Sequence, residues 1–400
     1  MIYRGIRRYA RLLVTCWYRV DIAGDATEVD GPLIVVGNHT NGLVDVAFLV
    51  ASSSRPLRFL AKFSLFKTPG VSLLARGVRA IPVYRKKDNV PTEWNASAFQ
   101  AVHHALGQGE AISIFPEGES GTSARIRGPL KTGTARMALG AQGAHKEVRL
   151  RIVPVHLSYS ERDRYRSRAA LVVGEPLFLD PGDVAKGPED RDAVARLTER
   201  IEACLREVAF EVENERDDPT LATARRLLPL ASVDDLTRLR RISQGINHLR
   251  GQDPSAADAL GARAHELKDL PSPPALHSPP ATGLARTVQL LALAIFAVPI
   301  GLARLLARLA PADKFVTVTM LVLLPLVALW LSTLTALAAA TLGWNAGAAT
   351  LFGGALLLVA LPRATDRARG AHDVRKGDGE RVSRFLADLD GLPTEPSRPG

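Results

Sequence analysis

Residues 38–45 read Asn-His-Thr-Asn-Gly-Leu-Val-Asp and directly follow the apolar run Leu33-Ile34-Val35-Val36-Gly37. A short β-type run therefore delivers His39, and six positions later Asp45, to the end of a strand. Open α/β sheets gather their ligands at such strand ends. An imidazole held by a carboxylate is a general base able to take a proton from a hydroxyl. On a straight helix a six-residue offset turns through roughly 240°, so the two side chains diverge unless Thr40-Asn41-Gly42 turn first. Asn-Gly is a strong turn dipeptide. The same stretch also suits a plain strand-to-helix turn that carries an incidental histidine.

A second strand pattern, Ala111-Ile112-Ser113-Ile114-Phe115, runs into Pro116-Glu117-Gly118-Glu119-Ser120. An acidic residue between proline and glycine at a strand end can reach into a cleft, and a purely structural turn needs no glutamate there. Together, Asn38-His39…Asp45 and Phe115-Pro116-Glu117-Gly118 resemble two blocks of the glycerolipid acyltransferase family typified by bacterial lysophosphatidic-acid acyltransferase. Arg79-Ala80-Ile81-Pro82-Val83-Tyr84-Arg85 resembles the block between them, and Ile152-Val153-Pro154-Val155 the fourth. Four blocks in order over residues 38–155 are far more specific than any one alone. There are two departures. Five residues, not four, separate His39 from Asp45, and Glu119-Ser120-Gly121 stand where the family carries Thr-Arg-Ser. The longer spacing and Leu130-Lys131-Thr132-Gly133 resemble a divergent branch with the yeast-type glycerol-3-phosphate and dihydroxyacetone-phosphate acyltransferases.

The resemblance implies direct acyl transfer from a thioester, acyl-CoA or acyl-carrier protein, to a hydroxyl of glycerol 3-phosphate or 1-acyl-glycerol 3-phosphate. It implies His39 as base, Asp45 as the group that orients it, and Glu117 and Gly118 beside the acceptor glycerol. With the loop's arginine missing, Arg85, Arg125, Arg127 and Lys131 are the candidates to hold the acceptor phosphate. Lys131 falls near a helix start, which itself favours anions. Two other readings are a membrane-anchored lipid-binding protein without catalysis and a thioester or lipid hydrolase. The hydrolase reading wants Gly-x-Ser-x-Gly, and Gly118-Glu119-Ser120-Gly121 misses that spacing by one residue. No cofactor or metal is expected: nucleotide-cradling glycine motifs are absent from the sequence, and His103, His104, His145 and His156 lack ligand spacing.

Strand patterns at 33–37, 79–83, 111–115, 151–157 and 170–178 alternate with helical stretches near 44–52, 63–75, 93–107 and 131–141. This alternation predicts an α/β domain with a mostly parallel central sheet and flanking helices. The chain of 400 residues exceeds one ordinary domain, and its formal charge of +10 predicts anionic partners. With 6% aromatics and no zinc-finger or aromatic-basic RNA motif, nucleic acid is not among them. Cys16 and Cys204, far apart, suit a reducing compartment.

Residues 1–24 predict a basic amphipathic helix at a membrane interface, with Arg4, Arg7, Arg8 and Arg11 beside an apolar stripe; a helix packed on the catalytic domain is the alternative. The acyltransferase domain is expected over 25–214, a helical extension over 215–270 and a Pro-rich linker over 271–283. A membrane region follows over 284–364. Within it 315–342 and 344–361 are uncharged and of spanning length, while 288–303 reads as interfacial or re-entrant, with a third span as the alternative. Arg304, Arg308 and Lys314 before the spans and Arg363, Arg367 and Arg369 after them place both flanks, and with them the catalytic domain, on the cytoplasmic face. Residues 365–400 read as a cytoplasmic tail.

Overall fold

The computed structural model describes residues 2–28, 30–68, 71–84, 95–121, 125–228, 233–268, 283–309, 315–372 and 378–393. They form two compact units, the first made mostly of residues 1–210 and the second mostly of residues 211–400.

The first unit contains α1 (Ile2–Trp17), β1 (Arg19–Ala23), β2 (Leu33–Gly37), α2 (Leu43–Ser52) and β3 (Leu57–Lys62). A 3-10 turn (Phe63–Lys67), α3 (Val71–Gly77), β4 (Ile81–Val83), α4 (Asn95–Gly107) and β5 (Ala111–Ile114) follow. It closes with α5 (Gly133–Ala144), β6 (Arg151–Tyr159), β7 (Arg168–Val173), β8 (Leu177–Phe178), α6 (Pro181–Lys186) and α7 (Arg191–Ala209). The strands make one sheet in the order β1-β7-β6-β2-β5-β3-β4, with β8 added to β6. The β2–β5, β2–β6, β3–β5 and β3–β4 pairs are parallel, and β6–β8 is antiparallel. The fold is thus α/β with a mostly parallel mixed sheet.

All five residues of β2 are buried, as a strand with neighbours on both edges and helices over it must be. Ile34, Val36, Ile112, Ile114 and Ile152 enter one core cluster with Val102 and Leu106 of α4, Ala138 and Leu139 of α5, and Leu197, Ile201 and Leu205 of α7. The α7 residues recur at helical spacing, so one stripe of that helix seals the sheet. Three strands and several boundaries differ from the sequence expectation, and the expected strand 170–178 divides into β7 and β8. β1 and β3 are extra; the half-exposed pattern of Leu-Arg-Phe-Leu-Ala-Lys in β3 lacks the clean alternation that marks a strand. The stretch 63–75 is not one helix but a 3-10 turn and α3.

α1 forms, and part of its apolar stripe is covered by protein while Ile2 stays exposed. Ala10, Leu13 and Val14 are buried, the Tyr3 hydroxyl accepts from the Leu57 N–H at 3.0 Å, and Arg7 donates to the Ser54 carbonyl at 3.2 Å. Periodicity locates an apolar face but not what covers it.

The second unit is helical: α8 (Asp218–Leu227), α9 (Val233–Gln252), α10 (Pro254–Glu266), α11 (Gly283–Ile295), α12 (Ala297–Arg308), α13 (Phe315–Leu342), α14 (Trp344–His372) and α15 (Asp378–Asp390). Part of the expected tail is therefore α15, which packs on α9. Its Val382, Phe385 and Leu389 are buried, and Asp390 accepts from Arg238 of α9 at 2.5 Å. α13 and α14 are long and apolar enough to cross a membrane, and they meet at Gly343, whose φ of 91° makes the sharp reversal. Gly347 lets them approach, since a Cβ there would stand 2.8 Å from that of Ala339. α11 and α12 are bent by 63° where they meet, the geometry of a broken span or a re-entrant pair.

Ile201→Ala should lower stability by about 2–5 kcal/mol through the cavity it leaves, read as a drop in the melting temperature of the purified protein. Exposed Glu199 lies on the other face of α7; an equal drop for Glu199→Ala would refute the sealing role of the stripe.

Candidate active site

Parallel pairing of β2 with β5, with Val36 opposite Ile114, carries both strands to the same sheet edge. There each releases a loop: Asn38-His39-Thr40 from β2, and Phe115-Pro116-Glu117-Gly118 from β5. The two halves of the site are thus neighbours because the strands are.

The turn between β2 and α2 brings His39 to Asp45. Gly42 takes φ 55°, a conformation that side-chain-bearing residues rarely adopt, and the Val44 N–H closes the turn on the Asn41 carbonyl at 3.0 Å. Asp45 lies in the first turn of α2, where a carboxylate is favoured by the helix N-terminus. Its Oδ2 accepts from His39 Nδ1 at 2.9 Å and from the Asn41 N–H at 2.7 Å, with the residue wholly buried. With Nδ1 donating to the carboxylate, the basic lone pair of neutral His39 is on Nε2.

Every other freedom of His39 is also held. Its ring stacks on Phe115, with centroids 4.1 Å apart and planes 8° from parallel. Its backbone N–H donates to Glu117 Oε1 at 2.8 Å, and its carbonyl accepts from the Gly121 N–H at 2.8 Å. Asn38 just before it is tied to β6, donating to the Leu157 carbonyl at 2.9 Å and accepting from the Leu157 N–H at 2.7 Å.

The Glu117 side chain is only 1% exposed, and its second oxygen accepts from Arg127 Nε at 2.7 Å. Arg127 also donates to the Glu119 carbonyl. Gly118, with φ 77°, makes the turn, and the Lys131 side chain lies over it, 3.2 Å from where a Cβ would stand. Lys131 is exposed, its N–H donates to the Pro116 carbonyl at 2.9 Å, and α5 starts two residues later, capped by no side chain at Thr132. Arg125 is half-buried on the loop that carries Arg127. Arg85 lies outside the described residues. The structure therefore gathers His39, Asp45, Glu117, Gly118, Arg127 and Lys131 around one sheet edge. The sequence reading singled out neither the Phe115 ring, the Asn38 tie nor the Gly121 contact. A polar Asn38 directly after a fully apolar strand was the only local signal for any of them.

The acyltransferase family model matches residues 19–158, the stretch that holds both loops of this edge. Over this segment the chain is similar to the acyltransferase family. Two curated relatives share parts of the chain. Glycerol-3-phosphate O-acyltransferase 1 of Saccharomyces cerevisiae is 34% identical over 171 residues, 40% of this chain and 22% of the relative. Glycerol-3-phosphate O-acyltransferase 2 of the same yeast is 35% identical over 188 residues, 44% of this chain and 24% of the relative. The chain thus spans less than a quarter of the length of these two relatives. A crystal structure of the 1-acyl-sn-glycerophosphate acyltransferase of Thermotoga maritima aligns with a TM-score of 0.37 and 20% identity, over 52% of this chain and 78% of that one.

Within the acyltransferase segment, Asn38→Ala should strand two buried backbone groups of Leu157, at about 1–3 kcal/mol each. The measurement is thermal unfolding, and an unchanged melting temperature would show that the tie to β6 contributes nothing.

Proposed function

We propose that the protein is a membrane-bound O-acyltransferase that moves a fatty acyl group from an acyl thioester to a hydroxyl of glycerol 3-phosphate or 1-acyl-glycerol 3-phosphate. The observation that carries this reading is the His39–Asp45 pair, 2.9 Å apart, at the strand ends of an acyltransferase-family segment. The names of the two yeast relatives favour glycerol 3-phosphate as acceptor.

In the proposed reaction His39 Nε2 takes the proton of the acceptor hydroxyl as its oxygen attacks the thioester carbonyl. Asp45 holds the imidazole by Nδ1 and stabilises the imidazolium formed during attack. The tetrahedral intermediate collapses by breaking the carbon–sulfur bond, and the imidazolium returns its proton to the departing thiolate. No covalent acyl-enzyme is needed, so no serine or cysteine nucleophile is assigned.

Lys131, exposed beside Gly118, is the proposed partner of the acceptor's dianionic phosphate, for which charge-assisted hydrogen bonds are the strong contacts, while Arg127 is engaged by Glu117 and the Glu119 carbonyl. Both oxygens of Glu117 are engaged within the protein, so its proposed part is to shape the loop beside the acceptor. The two apolar helices support membrane association. The basic residues flanking them favour a catalytic domain on the cytoplasmic face.

Purified full-length protein given labelled oleoyl-CoA should form acylated product only when glycerol 3-phosphate or its 1-acyl derivative is added. Release of free fatty acid irrespective of acceptor would identify a hydrolase instead, and binding without turnover a lipid-binding protein.

His39→Ala should cut turnover by roughly 10²–10⁴-fold, the usual worth of a general base, with the fold retained. Asp45→Asn should also cripple it, because an amide can donate to Nδ1 and move the ring proton to Nε2. Substantial turnover by folded His39→Ala protein would remove the base assignment, and a neutral Asp45→Asn would show that another group orients the ring.

A further inference from the structure

The loop Glu117–Gly121 carries two carboxylates and no cation of its own. Its charge is met by Arg127, which arrives from outside the loop. Arg127 Nε donates to Glu117 Oε2 at 2.7 Å and Nη2 to the Glu119 carbonyl, while its side chain is 39% exposed. Gly121 makes the seat. A Cβ at 121 would stand 2.7 Å from Arg127 Cζ and 2.8 Å from Nη1, too close for both to remain. Gly121 does not take the left-handed conformation that reserves a position for glycine. Its missing side chain is therefore used for space. The same residue donates its N–H to the His39 carbonyl at 2.8 Å, and Glu117 accepts the His39 N–H at 2.8 Å. The His39 backbone is thus gripped on both sides by a loop whose buried carboxylate is held by one guanidinium.

We propose that Arg127, seated over Gly121, is a positioning residue that sets the catalytic base His39 through Glu117. This rests on the reading of His39 as the base of acyl transfer. Once Arg127 is removed or unseated, the Glu117 carboxylate stays buried with a single neutral donor, an arrangement that costs enough to make it turn to solvent. That turn loosens the grip on the His39 N–H. A shift of the base by about 1 Å can lower a rate by about 10²-fold without touching substrate affinity.

The test uses the full chain with oleoyl-CoA and glycerol 3-phosphate, comparing wild type, Gly121→Ala, Arg127→Ala and Arg127→Lys. Gly121→Ala is the decisive variant, because it keeps the arginine and its charge while filling the seat. Gly121→Ala and Arg127→Ala should each lower kcat by about 10–100-fold while KM for glycerol 3-phosphate changes by less than about threefold. Arg127→Lys should recover part of the lost kcat, and so should added guanidinium ion with Arg127→Ala. A raised KM for glycerol 3-phosphate with kcat intact would overturn the proposal in favour of direct phosphate contact. Wild-type kinetics in Gly121→Ala would show that the seat is idle. Loss of kcat only in proportion to unfolded protein, read by thermal melting of each variant, would reduce the pair to a structural tie. Absence of acceptor-dependent product from the wild type would instead overturn the acyltransferase reading, and with it any role for Arg127 in that reaction.

Discussion

A carboxylate with 1% of its side chain open to solvent needs donors for both oxygens, and Glu117 has one on each. Withdrawing such a charge from water costs several kcal/mol, recovered only where geometry and hydrogen bonding are good. At this edge the recovery comes from a guanidinium on one side and the peptide of His39 on the other. The arrangement that lowers the cost of burying the charge is therefore the one that fixes His39. Asp45, likewise buried, does the same from the opposite direction, accepting from the imidazole and from the Asn41 N–H. Two buried carboxylates and one stacked ring together hold His39 in place.

That arrangement exists because of where β2 stands in the sheet. Flanked by β5 and β6 in parallel register, it has the β5 loop on one side and the β6 residue Leu157 on the other. The residues after it thus meet Glu117 in one direction and are tied through Asn38 in the other. The sheet's helices, α4, α5 and α7, supply the apolar cover that lets β2 be fully buried. The site thus stands at the ends of the strands whose Ile34, Val36, Ile112 and Ile114 build the core.

What could be read from the sequence was whatever is local. The strand runs at 33–37 and 111–115, the Asn-Gly turn and the separation of His39 from Asp45 all lie within short windows where period and turn chemistry speak directly. The partner of an amphipathic face does not, and the period of α1 alone does not say that protein covers part of its stripe. β3 escaped because only alternate residues at its start are buried and none is β-branched. α15 escaped because residues 365–400 look polar and tail-like until Val382, Phe385 and Leu389 are seen to fall on one face. The Arg127–Glu117 pair spans ten residues and a loop, and no periodicity encodes which of several nearby cations turns inward.

The packing of α15 on α9 also fixes a parity. α9 precedes the apolar helices and α15 follows them, yet the two touch and are joined by Arg238 and Asp390. A polypeptide whose two flanks are in contact enters and leaves an apolar layer through the same face, so it crosses an even number of times. α13 and α14 satisfy this as a pair. A third crossing by α11 and α12 would leave about 30 Å of hydrocarbon between α9 and α15. For α9 and α15 to stay in contact beside a bilayer, the bent pair would have to return to the face it started from.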